Sequence, residues 1–595
     1  MKFKTILALA VIVVLFGSVY NYCFDEKLDA NGDNAAYFLL GKGLAEGQGY
    51  SNYYRFPASP ETHFPPGYPS FISTLITLGI GGVASIKIAN GVLFLMVVLL
   101  FFFLVKRITS NLVFATVLAF VVLFNPHLIR YSTIMMSEML FMVLTMSALL
   151  FVLSSEEDGR VYGPAFFFLS IPLVISAFYV RSIGVALVFG LLFHLLFKRR
   201  YMRAMVLISS FTLGVLPWML RNNTIGGNSY IDQVMRVNPY RSELGNAGIG
   251  DYFHRVFNNI ERYISREFVA SLFQVEHLNY LQEASWFDWG LGIILIVIMI
   301  LGFLSLKQFR SLIGVYFLAY LGIIMTWPDV WMGPRFLVPI IPFVLLFLFL
   351  GLKQSFLIYL AKRSQSSGRY EMLFIAILGA GFIGLNASNM VVLHRMAMSD
   401  YQPDLKHYIQ AADWIKANTA EEAVVCCRKG NLFHFFSNRK VTGYKRTSSA
   451  ELLLQGLEDH SVDYIVLDEL GFGSSSRYFN PVMGMYPSKI DVIHQIETSR
   501  TFIAEFKPEL GYSGDFRKGK RNGFGTFRWS NGQCFEGMFS GGLAHGPGAL
   551  YYGDGRLLKG NWERDHLMGP AILFDRNGQV LSSSVYEDIS ITQLD

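Results

Sequence analysis

The chain has 595 residues, of which 52% are hydrophobic, 15% aromatic and only 16% charged, with a formal net charge of +6. So low a charged fraction, combined with such long apolar runs, excludes a chain that buries its apolar surface in water alone. The positive excess lies largely in Lys/Arg clusters between apolar runs, which points to membrane orientation and lipid headgroups and away from nucleic acid.

In chain order, apolar runs occupy 5–24, 84–105, 109–126, 133–153, 161–180, 183–197, 203–220, 289–306, 311–327, 336–352 and 371–393. Their lengths approach the roughly 20 residues that a hydrocarbon core of about 30 Å requires. Non-helical backbone there would leave its amides unsatisfied, so the runs predict a polytopic α-helical membrane protein with about eleven transmembrane helices. Alternate connections carry Lys2 and Lys4, Lys106 and Arg107, Lys198 to Arg200 with Arg203, Lys307 and Arg310, and Lys362, Arg363 and Arg369. The positive-inside rule assigns those connections to the cytoplasm. The N-terminus is then inside, the first helix reads as a retained anchor, and the loops 25–69 and 221–287 and the C-terminal part lie outside. The expected location is a cell inner (plasma) membrane, crossed many times.

The first outer loop carries Asp25, Glu26, Asp29 and Asp33 close to the membrane surface. From Asp33 to Leu44 it reads as a short amphipathic helix with Ala36, Tyr37 and Leu40 on one face and Asp33 at its N-terminus, where the helix dipole favours an ionised carboxylate. Such an acid is placed to take a proton from a hydroxyl nucleophile. A plain helix cap is the competing reading. The PPGYP run, Pro65 to Pro69, predicts an extended turn.

Arg181, Arg221 and Arg335 sit near the outer ends of spans, where topology calls for no cation. A guanidinium cluster at one membrane face suits a phosphate headgroup through paired, charge-assisted hydrogen bonds, whereas snorkelling accounts for each arginine singly. Glu138, at the outer start of the fourth span, is ionisable at membrane depth and so a functional candidate beside a structural, hydrogen-bonded reading. The four cysteines, Cys23, Cys426, Cys427 and Cys534, show no metal-ligand spacing and no disulfide framework.

Taken in order, Asp33 with Tyr37, Gly41 and Gly43, then PPGYP, Ser137-Glu138, Arg181 with Gly184, Pro217-Trp218 with Arg221-Asn222, and Arg335 with Pro339 and Pro342 resemble the GT-C membrane glycosyltransferases. The likeness is narrower to the branch with protein O-mannosyltransferases and aminoarabinose transferases, and it spans about 1–395. It implies inverting transfer of a sugar from a polyprenyl-phosphate donor to a hydroxyl acceptor, on protein, lipid or glycan, at the outer face. Asp33 would be the general base, Arg181, Arg221, Arg335 and His63 would hold the donor phosphate, and Tyr37 and Glu138 would contact substrate. The pattern departs where Asn34 follows Asp33 and where His63-Phe64 precede Pro65. Some members use a divalent metal; beyond the loop acids, no ligand cluster here supports one.

From about 396 to 510 helical and apolar strand segments alternate, predicting a small outer α/β domain. From 511 to 580 a repeat follows: Gly514, Gly537 and Gly560 are 23 apart (537 − 514 and 560 − 537), as are Phe516, Phe539 and Trp562. The three units resemble MORN repeats, glycine-turned β-hairpins with stacked aromatics, and read as a scaffold or binding module. Residues 581–595 read as a tail. Two other function classes fit parts of the pattern: a lipid or solute transporter, which would gather ionisable groups near the bilayer midplane, and a catalytically silent anchor for the repeats.

Overall fold

In the computed structural model, which describes residues 3–30, 33–156, 163–227, 229–241, 244–274, 280, 282–361, 367–471 and 475–591, the apolar runs are helices. The chain divides into two units, residues 1–52 with 60–399, and 53–59 with 400–595. In the first unit α1 (Phe3–Cys23) precedes two shorter helices of the first loop, α2 (Asn34–Ala45) and α3 (Gly67–Thr77). There follow α4 (Val83–Thr109), α5 (Leu112–Leu123), α6 (Pro126–Ser132), α7 (Glu138–Ser155), α8 (Gly163–Val180), α9 (Val185–Phe197) and α10 (Tyr201–Thr224). After the second loop's α11 (Ser229–Met235), α12 (Ile249–Arg262) and α13 (Phe268–Phe273) come α14 (Trp286–Ser305), α15 (Val315–Met325), α16 (Ile341–Ala361), α17 (Ser367–Leu385) and α18 (Ala387–Met398).

Among the described residues eight helices are long and apolar enough to cross a bilayer, and a bent pair, α5 with α6, would make a ninth. The expected runs at 183–197 and 311–327 are shorter apolar helices, Ser182–Phe197 and Arg310–Met325. The 62° bend between α5 and α6 has a local cause. Asn125 caps α6 by accepting from the Leu128 N–H, and Pro126 at the first helical position has no N–H with which to continue α5. Where α14 crosses α16, a Cβ on Gly302 or Gly351 would strike backbone carbonyls of the opposite helix, at Phe347 and Ile298. Glycine there permits the close approach by which helices associate in lipid.

Two expectations for the first loop change. The PPGYP run is not an extended turn: α3 starts at Gly67, with Pro69 in its first turn, where a missing N–H costs no intrahelical bond. And α2 is buried on most sides, from Asn34 to Gly43, rather than along a single face.

The second unit holds a five-stranded sheet in the order Lys440–Thr442, Val424–Cys426, Tyr464–Leu467, Phe502–Phe506, Ile490–Gln495. Its first three strands run parallel, Phe502–Phe506 runs antiparallel to them, and Ile490–Gln495 is antiparallel to Phe502–Phe506; the helices Pro403–Asn418, Gly430–Ser437, Ala450–Asp459 and Ser476–Met485 accompany it. All four cysteines are free and buried.

The repeats form a seven-stranded antiparallel meander. Its hairpins pair Gly511–Arg517 with Lys520–Arg528, Cys534–Ser540 with Leu543–Tyr551, and Leu557–Glu563 with His566–Phe574. Strand starts at 511, 534 and 557 keep the 23-residue step (534 − 511, 557 − 534). Tyr512, Phe535, Phe539 and Trp562 pack edge-to-face in its core, with the Phe535 and Trp562 rings 5.2 Å apart. Gly548 must lack a Cβ because the Phe535 ring lies over it. The expected tail is instead a seventh strand, Val580–Ser590, paired with His566–Phe574 and again 23 on from 557.

Candidate active site

Asp33 precedes α2 at the cap position, but its side chain makes no cap hydrogen bond. Its Oδ2 accepts from Arg335 Nη2 at 2.7 Å. Arg335 lies on a 3-10 turn, Pro334–Ile340, that opens the span containing α16. The preceding Gly333 has φ +118°, a conformation that side chains avoid, and it turns the chain into that segment. Arg335 Nε also reaches Glu138 Oε1 at 3.4 Å, and the same oxygen takes Arg181 Nη1 at 2.8 Å.

The four charges therefore alternate along one chain of contacts, Asp33, Arg335, Glu138, Arg181. Glu138 is fully buried at the first turn of α7, and among the described residues its Oε2 has no hydrogen-bond partner. Arg181 also donates to Ser137 Oγ at 2.9 Å, and that hydroxyl lies 3.3 Å from the Tyr37 phenol. Burial pushes the Tyr37 phenol up to about 12, so it stays protonated near neutrality. Its ring packs against Phe64 and Tyr68, each 5.0 Å away. Two guanidinium groups and two carboxylates drawn from four distant segments thus share one site at the ends of α2 and α7, which is not a plain helix cap.

Of the arginines singled out in sequence, the structure brings Arg181 and Arg335 together and commits Arg221 elsewhere. Arg221 donates to the carbonyls of Glu61 at 2.8 Å and Tyr50 at 2.9 Å and to Asn222 Oδ1 at 3.0 Å, with its guanidinium over the Trp218 and Tyr50 rings. It clamps the first loop. His63 stands edge-on to Phe64, its ring 5.7 Å from that of Tyr230. Asp25, another of the loop acids, is paired with Lys87 at 2.9 Å. Among the described residues no three His, Cys, Asp or Glu side chains gather as a metal site.

A second buried ion pair escaped the sequence reading. Arg262 Nε and Glu267 Oε1 are 2.7 Å apart across a π-helical turn, Tyr263–Glu267, and Glu267 Oε1 also accepts the Gly333 N–H at 3.0 Å. The pair thereby holds the loop that leads into Arg335.

Comparison with solved structures gives the fold of the chain a known architecture. ArnT from Cupriavidus metallidurans in the apo state aligns with a TM-score of 0.53 at 12% identity, over 84% of this chain and 98% of that one. The same protein bound to undecaprenyl phosphate gives 0.52 at 12%, over 83% and 97%. The Archaeoglobus fulgidus oligosaccharyltransferase, tethered with an acceptor peptide containing the NVT sequon, gives 0.52 at 11%, over 85% and 74%. The chain has the GT-C fold. To this GT-C architecture it adds the C-terminal sheet, where the family model described as MORN repeat matches residues 512–534 and 535–555. The third hairpin continues the same sheet beyond the matched residues. No curated protein sequence matches the chain.

Proposed function

We propose that the protein is a membrane glycosyltransferase that moves a sugar from a polyprenyl-phosphate donor to a hydroxyl acceptor at the outer face of the membrane. The observation that carries this reading is Arg335, held between Asp33 and Glu138 with Arg181 on the far side of the same carboxylate. The GT-C fold supports the class of reaction, and the undecaprenyl phosphate bound to ArnT supports the class of donor.

The chemistry follows from the charges. Asp33 and Arg335 neutralise one another at 2.7 Å. A donor phosphate competes for the guanidinium, frees the Asp33 carboxylate and leaves it beside the incoming sugar as a base. The acceptor hydroxyl passes its proton to Asp33 as its oxygen bonds to the anomeric carbon, and the bond from that carbon to the phosphate oxygen breaks. A single displacement inverts the anomeric centre. The departing polyprenyl phosphate gains one negative charge, and Arg335 and Arg181 stabilise it most when it is greatest, in the transition state and product. Glu138 orients both arginines. Tyr37 and Ser137 line the site as hydroxyl donors, and Arg221 acts through the loop it clamps.

The test is transfer of radiolabelled sugar from native lipid extract into any acceptor fraction, comparing wild type with Asp33→Asn at equal abundance in membranes. Label should appear only with the wild type. Equal label from both, with donor present, refutes the assignment of the base.

A further inference from the structure

One piece of the first loop does not fold with its neighbours in sequence: Tyr53–Ser59 belongs to the second unit. Lys440–Thr442 is an edge strand of the five-stranded sheet there, and the piece extends that edge in parallel register, with Arg55 beside Val441. The Val441 N–H donates to the Tyr54 carbonyl at 3.0 Å, and the Phe56 N–H to the Val441 carbonyl at 2.9 Å. Lys440 Nζ adds a bond to the Tyr53 carbonyl at 2.6 Å. Tyr54 is 1% exposed, its ring 5.5 Å from that of His434, and the Tyr53 ring stands edge-on to the same histidine. An open sheet edge calls for a cover, and an added strand supplies one through main-chain bonds. Here the cover is drawn from the loop that carries Asp33.

Within the first unit the residues on either side of this piece are closed into stems. The Glu61 N–H donates to the Tyr50 carbonyl at 3.1 Å, and Arg221 binds the carbonyls of both residues. Each stem residue then turns its side chain on Phe64. The Tyr50 hydroxyl donates to the Phe64 carbonyl at 2.8 Å, and Oε1 of the buried Glu61 accepts the Phe64 N–H at 3.0 Å. Phe64 is thus held at its N–H and at its C=O by the two ends of one hairpin. Its ring lies 5.0 Å from that of Tyr37, whose hydroxyl is 3.3 Å from Ser137 Oγ, and that oxygen accepts from Arg181. Contacts therefore run without a gap from the stems to a guanidinium of the site.

We propose that the α/β part of the second unit is a positioning element for the transferase: by holding Tyr53–Phe56 as an added strand it anchors the stems, and Tyr50 and Glu61 pass that anchoring to Phe64 and Tyr37. What is positioned rests on the transferase reading. Tyr50, Tyr54, Glu61 and Lys440 are positioning residues, since they act through Phe64 and not on the reacting atoms. With the tip released, the stems keep their bonds to Arg221 but lose their far attachment, and Phe64 gains freedom. The contacts from Tyr37 through Ser137 to Arg181 then hold productive geometry for a smaller share of the time. Turnover falls, whereas donor capture, which depends on the charges of Arg335 and Arg181, is kept.

The full chain is compared in nanodiscs with Tyr54→Ala plus Lys440→Met, and with a variant in which Asn-Gly replaces residues 53–59 and closes the stems by a short loop. Amide exchange is followed by mass spectrometry in a peptide spanning 61–68, where Pro65 and Pro66 carry no amide hydrogen and few positions report besides His63 and Phe64. We expect exchange there about tenfold faster in both variants, and a maximal transfer rate about tenfold lower at an unchanged half-saturating concentration of lipid extract. Tyr50→Phe removes only the hydroxyl that binds Phe64 and should do the same; combined with the Asn-Gly replacement it should add little, because both act along one line of contacts. Arg55→Ala, at an exposed side chain, should leave both readouts at the wild-type level. Lys440 is half-buried, so Lys440→Met alone remains readable if the pair unfolds the second unit. Exchange over 61–68 that keeps the wild-type rate, faster exchange with transfer unchanged, and additive losses for Tyr50→Phe would each overturn the proposal. Exchange does not depend on turnover: a wild type that transfers no label sinks the transferase reading, while the exchange data still decide the anchoring.

Discussion

Replacing Arg335 by lysine keeps the charge and removes the fork. Arg335 uses two different nitrogens, Nη2 toward Asp33 at 2.7 Å and Nε toward Glu138 at 3.4 Å, and a lysine ammonium cannot stand at both places. The Asp33 pair is 27% and 30% exposed, so solvent screening reduces its ground-state worth to the lower part of the roughly 1.5–3 kcal/mol usual for a charged hydrogen bond. In the transition state, loss of one well-placed donor typically costs about 2.7–4 kcal/mol, and the retained charge recovers part of that. We expect a net loss of about 2–3 kcal/mol, or about 30- to 150-fold in transfer rate. The assay is initial-rate label transfer at saturating lipid extract with protein abundance matched by immunoblot. Arg335→Met should fall further. A lysine variant within about threefold of wild type would refute the bidentate role and reduce Arg335 to a point charge.

Three other expectations concern buried side chains. Glu138→Gln leaves Arg181 and Arg335 facing each other without their shared carboxylate and should destabilise the membrane unit by about 3 kcal/mol, seen as a lower thermal midpoint in detergent; adding Arg181→Met should restore part of it. Trp562→Ala, at a side chain 1% exposed in the repeat core, should cost about 3–5 kcal/mol and hasten proteolysis of the C-terminal sheet while label transfer persists. Burial pushes the Cys427 thiol up to about 12, so at pH 8 it stays protonated, and maleimide should label it only after unfolding; rapid labelling of the folded chain would show the strand end to be open.

The spans were legible because bilayer thickness sets a length that any sequence must meet, and the repeat because one period recurs in glycine and aromatic positions together. Asp33, Glu138, Arg181 and Arg335 could be singled out as charges in places where topology needs none. Their mutual contacts could not, since they join residues distant in sequence, 302 positions apart in the case of Asp33 and Arg335. The clamp made by Arg221 could not be read for a physical reason: it bonds mainly to backbone carbonyls, which every residue has, so it leaves no side-chain signature. Helix α3 was hidden because prolines in a first helical turn look like those in an extended connector. The seventh strand of the sheet lacks the glycine and aromatic of its predecessors, with Ser583 and Val585 at the positions of Gly560 and Trp562, so the period continued where its markers stopped.

The unbroken 23-residue step in strand starts, 511, 534, 557 and 580, makes the C-terminal sheet modular in length. Excising one period would rejoin a hairpin edge to an equivalent edge in the same register, and inserting one would lengthen the array by about two inter-strand spacings, near 10 Å. Whatever this module touches, its reach can be altered in fixed increments while the chain of charges from Asp33 to Arg181 goes untouched.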